Sequence, residues 1–166
     1  MSRPDPVVAR FREAGAGEAG ALTDLERDAN LVALRHVFDP AEHAYPYAAV
    51  LARWDALLAD PEVVVEVVDQ AVGDRDGLAV LLARDAGRVR HLAVHPSRWS
   101  QGLATAALDR AETALRASGA DDPRLWCLVE NHRARALYEP RGWRATGRRR
   151  PAAFAPYPVE MEYVLW

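Results

Sequence analysis

The chain is short of several things. It has a single cysteine, Cys127, among 166 residues. No intrachain disulfide can form, and no zinc site can be built from cysteines. No run approaches the roughly 20 apolar residues of a membrane span. The first residues, "MSRPDPVVARFREAG", lack the central apolar region of a secretory signal. The net charge of −3 gives no support for general nucleic-acid binding. The one basic cluster, Arg144 to Arg150, is short and reads as a solvated turn. Internal repeats, low-complexity tracts and interdomain linkers are also missing. These absences lead to the expectation of a soluble, cytoplasmic protein, a single domain over residues 1–166, with no metal, no membrane partner and no nucleic acid.

What is present suffices for a core. Half of the residues are apolar, and a domain of this length buries about 68–70% of its unfolded surface. "PVVARFREA" (Pro6–Ala14) opens as a strand. A helix follows from Gly17 to Phe38, with Leu22, Leu25, Ala29, Val32 and Ala33 near helical spacing, and Asp39-Pro40 stops it. Tyr47–Asp60 is a second amphipathic helix. The texture then turns β-branched and short: Glu62–Val72, Leu78–Asp85 and Val89–Val94 read as strands joined by tight turns, hence antiparallel neighbours. Gln101–Gly119 is a helix with Leu103, Ala107, Ala111 and Leu115 on one stripe and Gly119 as its cap. Arg124–Glu130 is an apolar strand expected to be covered on both faces. "NHRARALYEP" is a short helix, and "GWRATGRRR" and "PVEMEYVLW" are the last strands. The order predicts an α/β (α+β) domain, a mixed central β-sheet flanked by helices.

The junction "HPSRWSQGLATA" joins a strand to a helix without a bulky residue at its mouth. The first turn of a helix has free N–H groups, and the helix dipole favours an anion there. Gly102 lets a ligand approach the backbone. The triphosphate-binding pattern G-x-x-x-x-G-K-[ST] and the dinucleotide pattern G-x-G-x-x-G are both missing. The residues therefore suggest a phosphate-bearing ligand held mainly by backbone groups. The alternative is that Gly102 and Ala104 only allow tight packing of strand against helix.

Two stretches, taken together, resemble the GCN5-related N-acetyltransferase (GNAT) family. The first is "HLAV", "HPSR" and "WSQGLA"; the second is "NHRARALY" followed by "GW", where Asn131, Ala134, Leu137, Tyr138, Gly142 and Trp143 match in order. The resemblance is clear from Leu78 to Trp143. It implies acetyl-CoA (CoA) as cofactor, bound at the loop Trp99, Ser100, Gln101, Gly102, Leu103, Ala104 and Thr105, with its pyrophosphate on the amides of Gln101 to Thr105. It implies a pantetheine arm paired with the backbone of Leu92, Ala93 and Val94, and held from the other side by Asn131. It also implies Tyr138 as the acid that protonates the CoA thiolate. The loop departs from the family at its first position, where Trp99 stands for Gln or Arg.

The implied activity is transfer of an acetyl group to a primary amine of a small molecule. Alternatives are a non-catalytic acyl-CoA sensor and a peptide or protein amine acetyltransferase. A lysine-like amine is only about 0.04% neutral at pH 7, so a base would help. Two glutamates that branches of the family use are replaced here by Arg88 and Trp126. The remaining candidates are Glu26, Asp28, His36, His43, His91, Glu160 and Glu162. Glu160 and Glu162 share one strand face and would attract a cationic amine if that face lined the acceptor cleft. Cys127 reads as core. The chain is expected to be a monomer or a homodimer, with Trp166 available to a partner.

Overall fold

The computed structural model describes residues 8–70 and 77–166. The elements, in order, are β1 (Arg12–Glu13), α1 (Ala19–Ala33), α2 (Tyr47–Ala59), β2 (Val64–Asp69), β3 (Leu78–Arg84), β4 (Val89–Val94), α3 (Leu103–Ala117), β5 (Arg124–Leu128), α4 (His132–Tyr138), β6 (Trp143–Pro151) and β7 (Val159–Leu165). The start of the expected first strand, the end of the expected second and most of the "GDRDG" turn lie outside the described residues.

The strands form two antiparallel sheets, β1-β2-β3-β4 and β5-β7-β6. They meet in parallel at one point. Arg88 and Arg124 form a single bridge, and the Arg124 N–H donates to the Gly87 carbonyl at 3.0 Å. The expected mixed sheet is thus two antiparallel sheets joined at the start of β4 and β5. Beyond that point the two strands pair no further among the described residues. The outer backbone edge of Leu92 to Val94 is left without a partner strand among the described residues, and this divergence makes the site.

Side-chain alternation on β4 divides its environment. Ala93 and His91 face α1 and α2, where His91 rests on the fully buried Trp54 at 5.1 Å between ring centroids. Val94 and Leu92 face α3. The predicted stripe of α3 is buried as expected: Leu103, Ala107, Ala111 and Leu115 are all at most 2% exposed. Each leucine of that stripe contributes about 1.5–3 kcal/mol by leaving water. At the far end, Gly119 at φ +78° allows the Ala120 N–H to reach the Leu115 carbonyl and its own N–H to reach Arg116, closing the helix. Buried Glu112 fixes α3 across to β6, accepting from the Trp143 indole at 2.9 Å and from Arg141 at 2.9 Å.

Three expectations are adjusted. The first helix ends at Ala33, short of Phe38, because Leu34 leaves helical geometry (φ −122°, ψ 18°) and the following turn is drawn toward α4, where His36 Nε2 lies 2.8 Å from the Glu130 carbonyl oxygen. Val32 is 57% exposed, so it does not belong to the apolar stripe of α1. β5 is not covered by apolar packing on both faces. Leu125 and Cys127 are buried, while Trp126 lies on the opposite face beneath Arg150, 4.2 Å from its ring centroid. None of the helices described is long and apolar enough to cross a membrane.

Candidate active site

A cavity of about 370 Å³ occupies the divergence between β4 and α4, roofed by α1 and floored by the mouth of α3. Leu92, Ala93, Val94, Trp99, Ser100, Gly102, Leu103, Ala104, Thr105, Asn131 and Tyr138 all line it. Gln101 is the exception among the residues singled out from sequence. Its exposed side chain is turned aside and accepts from Arg98 Nε at 2.8 Å.

The mouth of α3 carries free donors. No side chain among the described residues caps this helix, and the first intrahelical bond is donated by the Ala106 N–H to the Gly102 carbonyl at 3.0 Å. The N–H groups of Leu103, Ala104 and Thr105 therefore lack helical partners. Gly102 sits at φ +78°, a left-handed conformation that glycine adopts without strain. A Cβ added there would meet no atom of the described residues within 4 Å, its chain neighbours aside. Tight packing thus does not explain the glycine. Its conformation and the open space beside it do. Ser100 also takes positive φ, +62°, and the two left-handed residues turn the loop around the cavity.

Trp99, where the family has Gln or Arg, is fixed by its indole N–H, which donates to the Val94 carbonyl at 2.8 Å. Arg133, from the first turn of α4, lies over its ring with 3.8 Å between guanidinium carbon and ring centroid. Such stacking is worth about 0.5–2 kcal/mol. Arg98 also lines the cavity, and its Nη1 is buried without a hydrogen-bond partner among the described residues. Two arginines thus line a cavity whose described lining contains no carboxylate. A diphosphate fits this donor set: free amides, a stacked cation and an orphaned buried N–H. Neither arginine was expected as a site residue. Arg133 lies within the "NHRARALY" stretch, but its tie to Trp99 spans elements far apart in sequence.

Asn131 caps α4, its side-chain oxygen accepting from the Ala134 N–H at 3.1 Å. Its amide group remains for a ligand. Tyr138 is 8% exposed, its ring tilted against Trp143 and Tyr163 at 6.2 and 6.3 Å. Its hydroxyl has no hydrogen-bond partner among the described residues. Burial raises its pKa above that of an ordinary phenol, so it keeps its proton through neutral pH. Cys127 is buried and its thiol is pushed up to about 12, chiefly by burial, as befits an inert core residue.

The candidate bases are scattered. Burial, aided by Arg53 and Arg90, pushes His91 down to about 3, which makes it a poor proton acceptor at neutral pH. Asp28 accepts from Arg27 at 3.0 Å and lies 3.6 Å from His95. His36 is held at the Glu130 carbonyl. Glu160 and Glu162 share a face as expected, but that face carries Trp126 and the arginines of β6. Arg150 binds Glu160 at 2.7 Å, and Arg124, Thr146 and Arg148 surround the buried Glu162. Neither carboxylate is left to attract an amine. Glu26 and His43 line a second, smaller cavity.

The comparisons with known proteins agree with this geometry. The family model described as the acetyltransferase (GNAT) family matches residues 31–143. A mycothiol acetyltransferase of Beutenbergia cavernae is 32% identical over 145 residues, which are 86% of this chain and 48% of that protein. The chain therefore spans about half the length of this curated relative. Among solved structures, a GCN5-related N-acetyltransferase of Rhodopseudomonas palustris superposes with a TM-score of 0.78 at 14% identity, covering 99% of each chain. The PaiA N-acetyltransferase of Thermoplasma acidophilum, in complex with coenzyme A, superposes with a TM-score of 0.64 at 12% identity over 94% of this chain and 98% of its own. The divergent strands, the uncapped mouth of α3 and the Asn131–Tyr138 helix stand within the segment that the family model matches, and the chain belongs to the acetyltransferase (GNAT) family.

Proposed function

We propose that the chain is an acetyl-CoA-dependent N-acetyltransferase that moves the acetyl group directly to a primary amine of a small molecule. The observation that carries this reading is one cavity that joins an anion-binding mouth to a buried, protonated and unpartnered phenol. Family membership supports the reaction class. The complex of the Thermoplasma acidophilum neighbour with coenzyme A supports the cofactor. The likeness to a mycothiol acetyltransferase, a name that specifies no protein acceptor, supports a small-molecule substrate.

Acetyl-CoA supplies the thioester whose acyl carbon the amine attacks. The amides of Leu103 to Thr105, Arg98 and Arg133 hold the diphosphate, with Ser100 and Gly102 turning the loop around it. The open backbone edge of Leu92, Ala93 and Val94 aligns the pantetheine arm as an added strand would be aligned, and the Asn131 amide steadies it from α4. A backbone N–H at the end of β4, that of Val94, polarises the thioester carbonyl. Tyr138 donates its proton to the departing sulfur. Trp99 acts indirectly, by tying Val94 to the stacked Arg133.

The test is calorimetry with CoA followed by a free-thiol assay with acetyl-CoA and a panel of amines. Binding with amine-dependent thiol release is the expected result. Absence of CoA binding refutes the reading, and binding without release to any amine leaves the acyl-CoA sensor.

A further inference from the structure

α4 has seven residues, a length of roughly 10 Å. A helix this short does not persist in water by itself, so its placement is set by what ties it down. Toward its end the ties run to the chain just past β5 and to β7. Arg135 donates from Nη1 to the Val129 carbonyl and from Nε to Glu139 Oε1, each at 3.0 Å. The Tyr163 hydroxyl donates to the same carboxylate oxygen at 2.7 Å. At its start the tie runs elsewhere. Arg133 reaches the loop before α3, where its guanidinium lies 3.8 Å above the centroid of the Trp99 ring.

That seat is itself fixed, because the Trp99 indole donates to the Val94 carbonyl at 2.8 Å. The charge on Arg133 meets no carboxylate in the described lining of the cavity, so an anion at the mouth of α3 would find it unneutralised. Tyr138 lines the same cavity five residues further along the helix, roughly 7.5 Å along its axis. Its hydroxyl has no hydrogen-bond partner among the described residues, so its direction is left to the ring contacts with Trp143 and Tyr163 and to the helix that carries it.

The resemblance puts Gln or Arg at the first position of the loop. A cation there would hold a diphosphate without touching α4. In this chain tryptophan stands at that position, and its ring carries a guanidinium that belongs to α4. An anion bound at the mouth of α3 therefore draws on the helix that bears the acid. Contacts far from the reacting atoms raise the rate when they are used for orientation, and a substrate that lacks them loses kcat as well as affinity.

We infer that Arg133, seated on Trp99, is a positioning residue that converts binding of the cofactor diphosphate into placement of Tyr138 beside the sulfur. The inference rests on the acetyltransferase reading above and adds a coupling between the two ends of the cofactor. A guanidinium that only attracts the diphosphate would affect KM for acetyl-CoA and not the rate at saturation.

The test compares acetyl-CoA with S-acetylpantetheine, which has the thioester and the arm but no diphosphate. The readout is the single-turnover rate of thiol release at saturating thioester, with the best amine of the panel, beside KM. The parent should react with acetyl-CoA about tenfold faster, or more, than with S-acetylpantetheine. In Arg133→Ala the two rates should come within about threefold of each other. A parent without the advantage, or an Arg133→Ala variant that keeps it and only raises KM, overturns the proposal. Trp99→Phe and Trp99→Leu both lose the bond to Val94, but only Leu loses the ring under the guanidinium. The advantage should survive in Phe and collapse in Leu, and equal behaviour of the two overturns the role of the stack. In a Tyr138→Phe background, Arg133→Ala should cost the saturated rate less than about a further threefold; a full additional loss shows that Arg133 does not act through Tyr138. Failure of the parent to bind CoA, or to release thiol with any amine, would instead refute the acetyltransferase reading and this proposal with it.

Discussion

Replacing Tyr138 by Phe separates chemistry from architecture. The phenol ring packs against Trp143 and Tyr163 at 6.2 and 6.3 Å between centroids, and Phe retains both contacts. The deleted oxygen has no protein partner among the described residues, so no buried group is orphaned by its loss. Stability should change by less than about 1 kcal/mol. CoA affinity should also hold, because the proposed diphosphate site lies at the other end of the cavity. Turnover should fall by about 10²- to 10⁴-fold, the usual contribution of a positioned acid, or about 2.7–5.4 kcal/mol of barrier. Thiol release gives kcat, calorimetry gives the CoA dissociation constant, and a urea transition gives stability. A kcat within about threefold of the parent would remove Tyr138 from the mechanism. The pH profile is a second check. Burial raises the phenol's pKa above its ordinary value near 10. Tyr138 therefore retains its proton across the working range. An alkaline loss of rate centred below about pH 9.5 that disappears in Tyr138→Phe would contradict this account.

Arg98→Ala and Arg133→Ala should each weaken CoA binding by about 10- to 100-fold, as expected for losing a charge-assisted hydrogen bond. The loss should shrink at high salt, and calorimetry at two ionic strengths would measure both effects. Gly102→Val places a β-branched residue at φ +78°, which should cost about 1–2 kcal/mol of stability and weaken CoA binding by filling the space the diphosphate needs; an unaltered dissociation constant would move the diphosphate elsewhere. His91 supplies a pH dependence with a definite sign. Its pKa is about 3 in the fold, against an ordinary value of 6.5. Between these values the unfolded chain binds a proton that the fold refuses, so stability falls as pH drops through that window. At pH 4.5 the loss relative to pH 7 should be about 2–3 kcal/mol, and urea transitions of His91→Leu should show a smaller drop over the same interval.

Much of the fold was readable from pattern alone. The stripe Leu103, Ala107, Ala111, Leu115 and the cap at Gly119 are local features, set by helical period and by backbone freedom at one residue. Cys127 as core follows from its apolar neighbours. The alternation of Val159, Met161 and Tyr163 with Glu160 and Glu162 correctly put the two carboxylates on one face. It did not reveal that the arginines of β6 and β5 occupy them, because cross-strand partners depend on register. Val32 and the early end of α1 were misjudged for a similar reason: helical spacing does not say where the covering layer stops.

By itself the sequence determined the elements, the uncapped helix mouth at Gly102 and the placement of Tyr138 seven residues after Asn131, since each is fixed by neighbours a few residues apart. Only the tertiary structure decided that β4 and β5 part after one bridge, that Arg133 stacks on Trp99, that Arg98 keeps an orphaned N–H, and that His91 packs against Trp54 with its pKa pushed down. These depend on contacts between distant segments and on exclusion of water, and neither is encoded in any short stretch of chain.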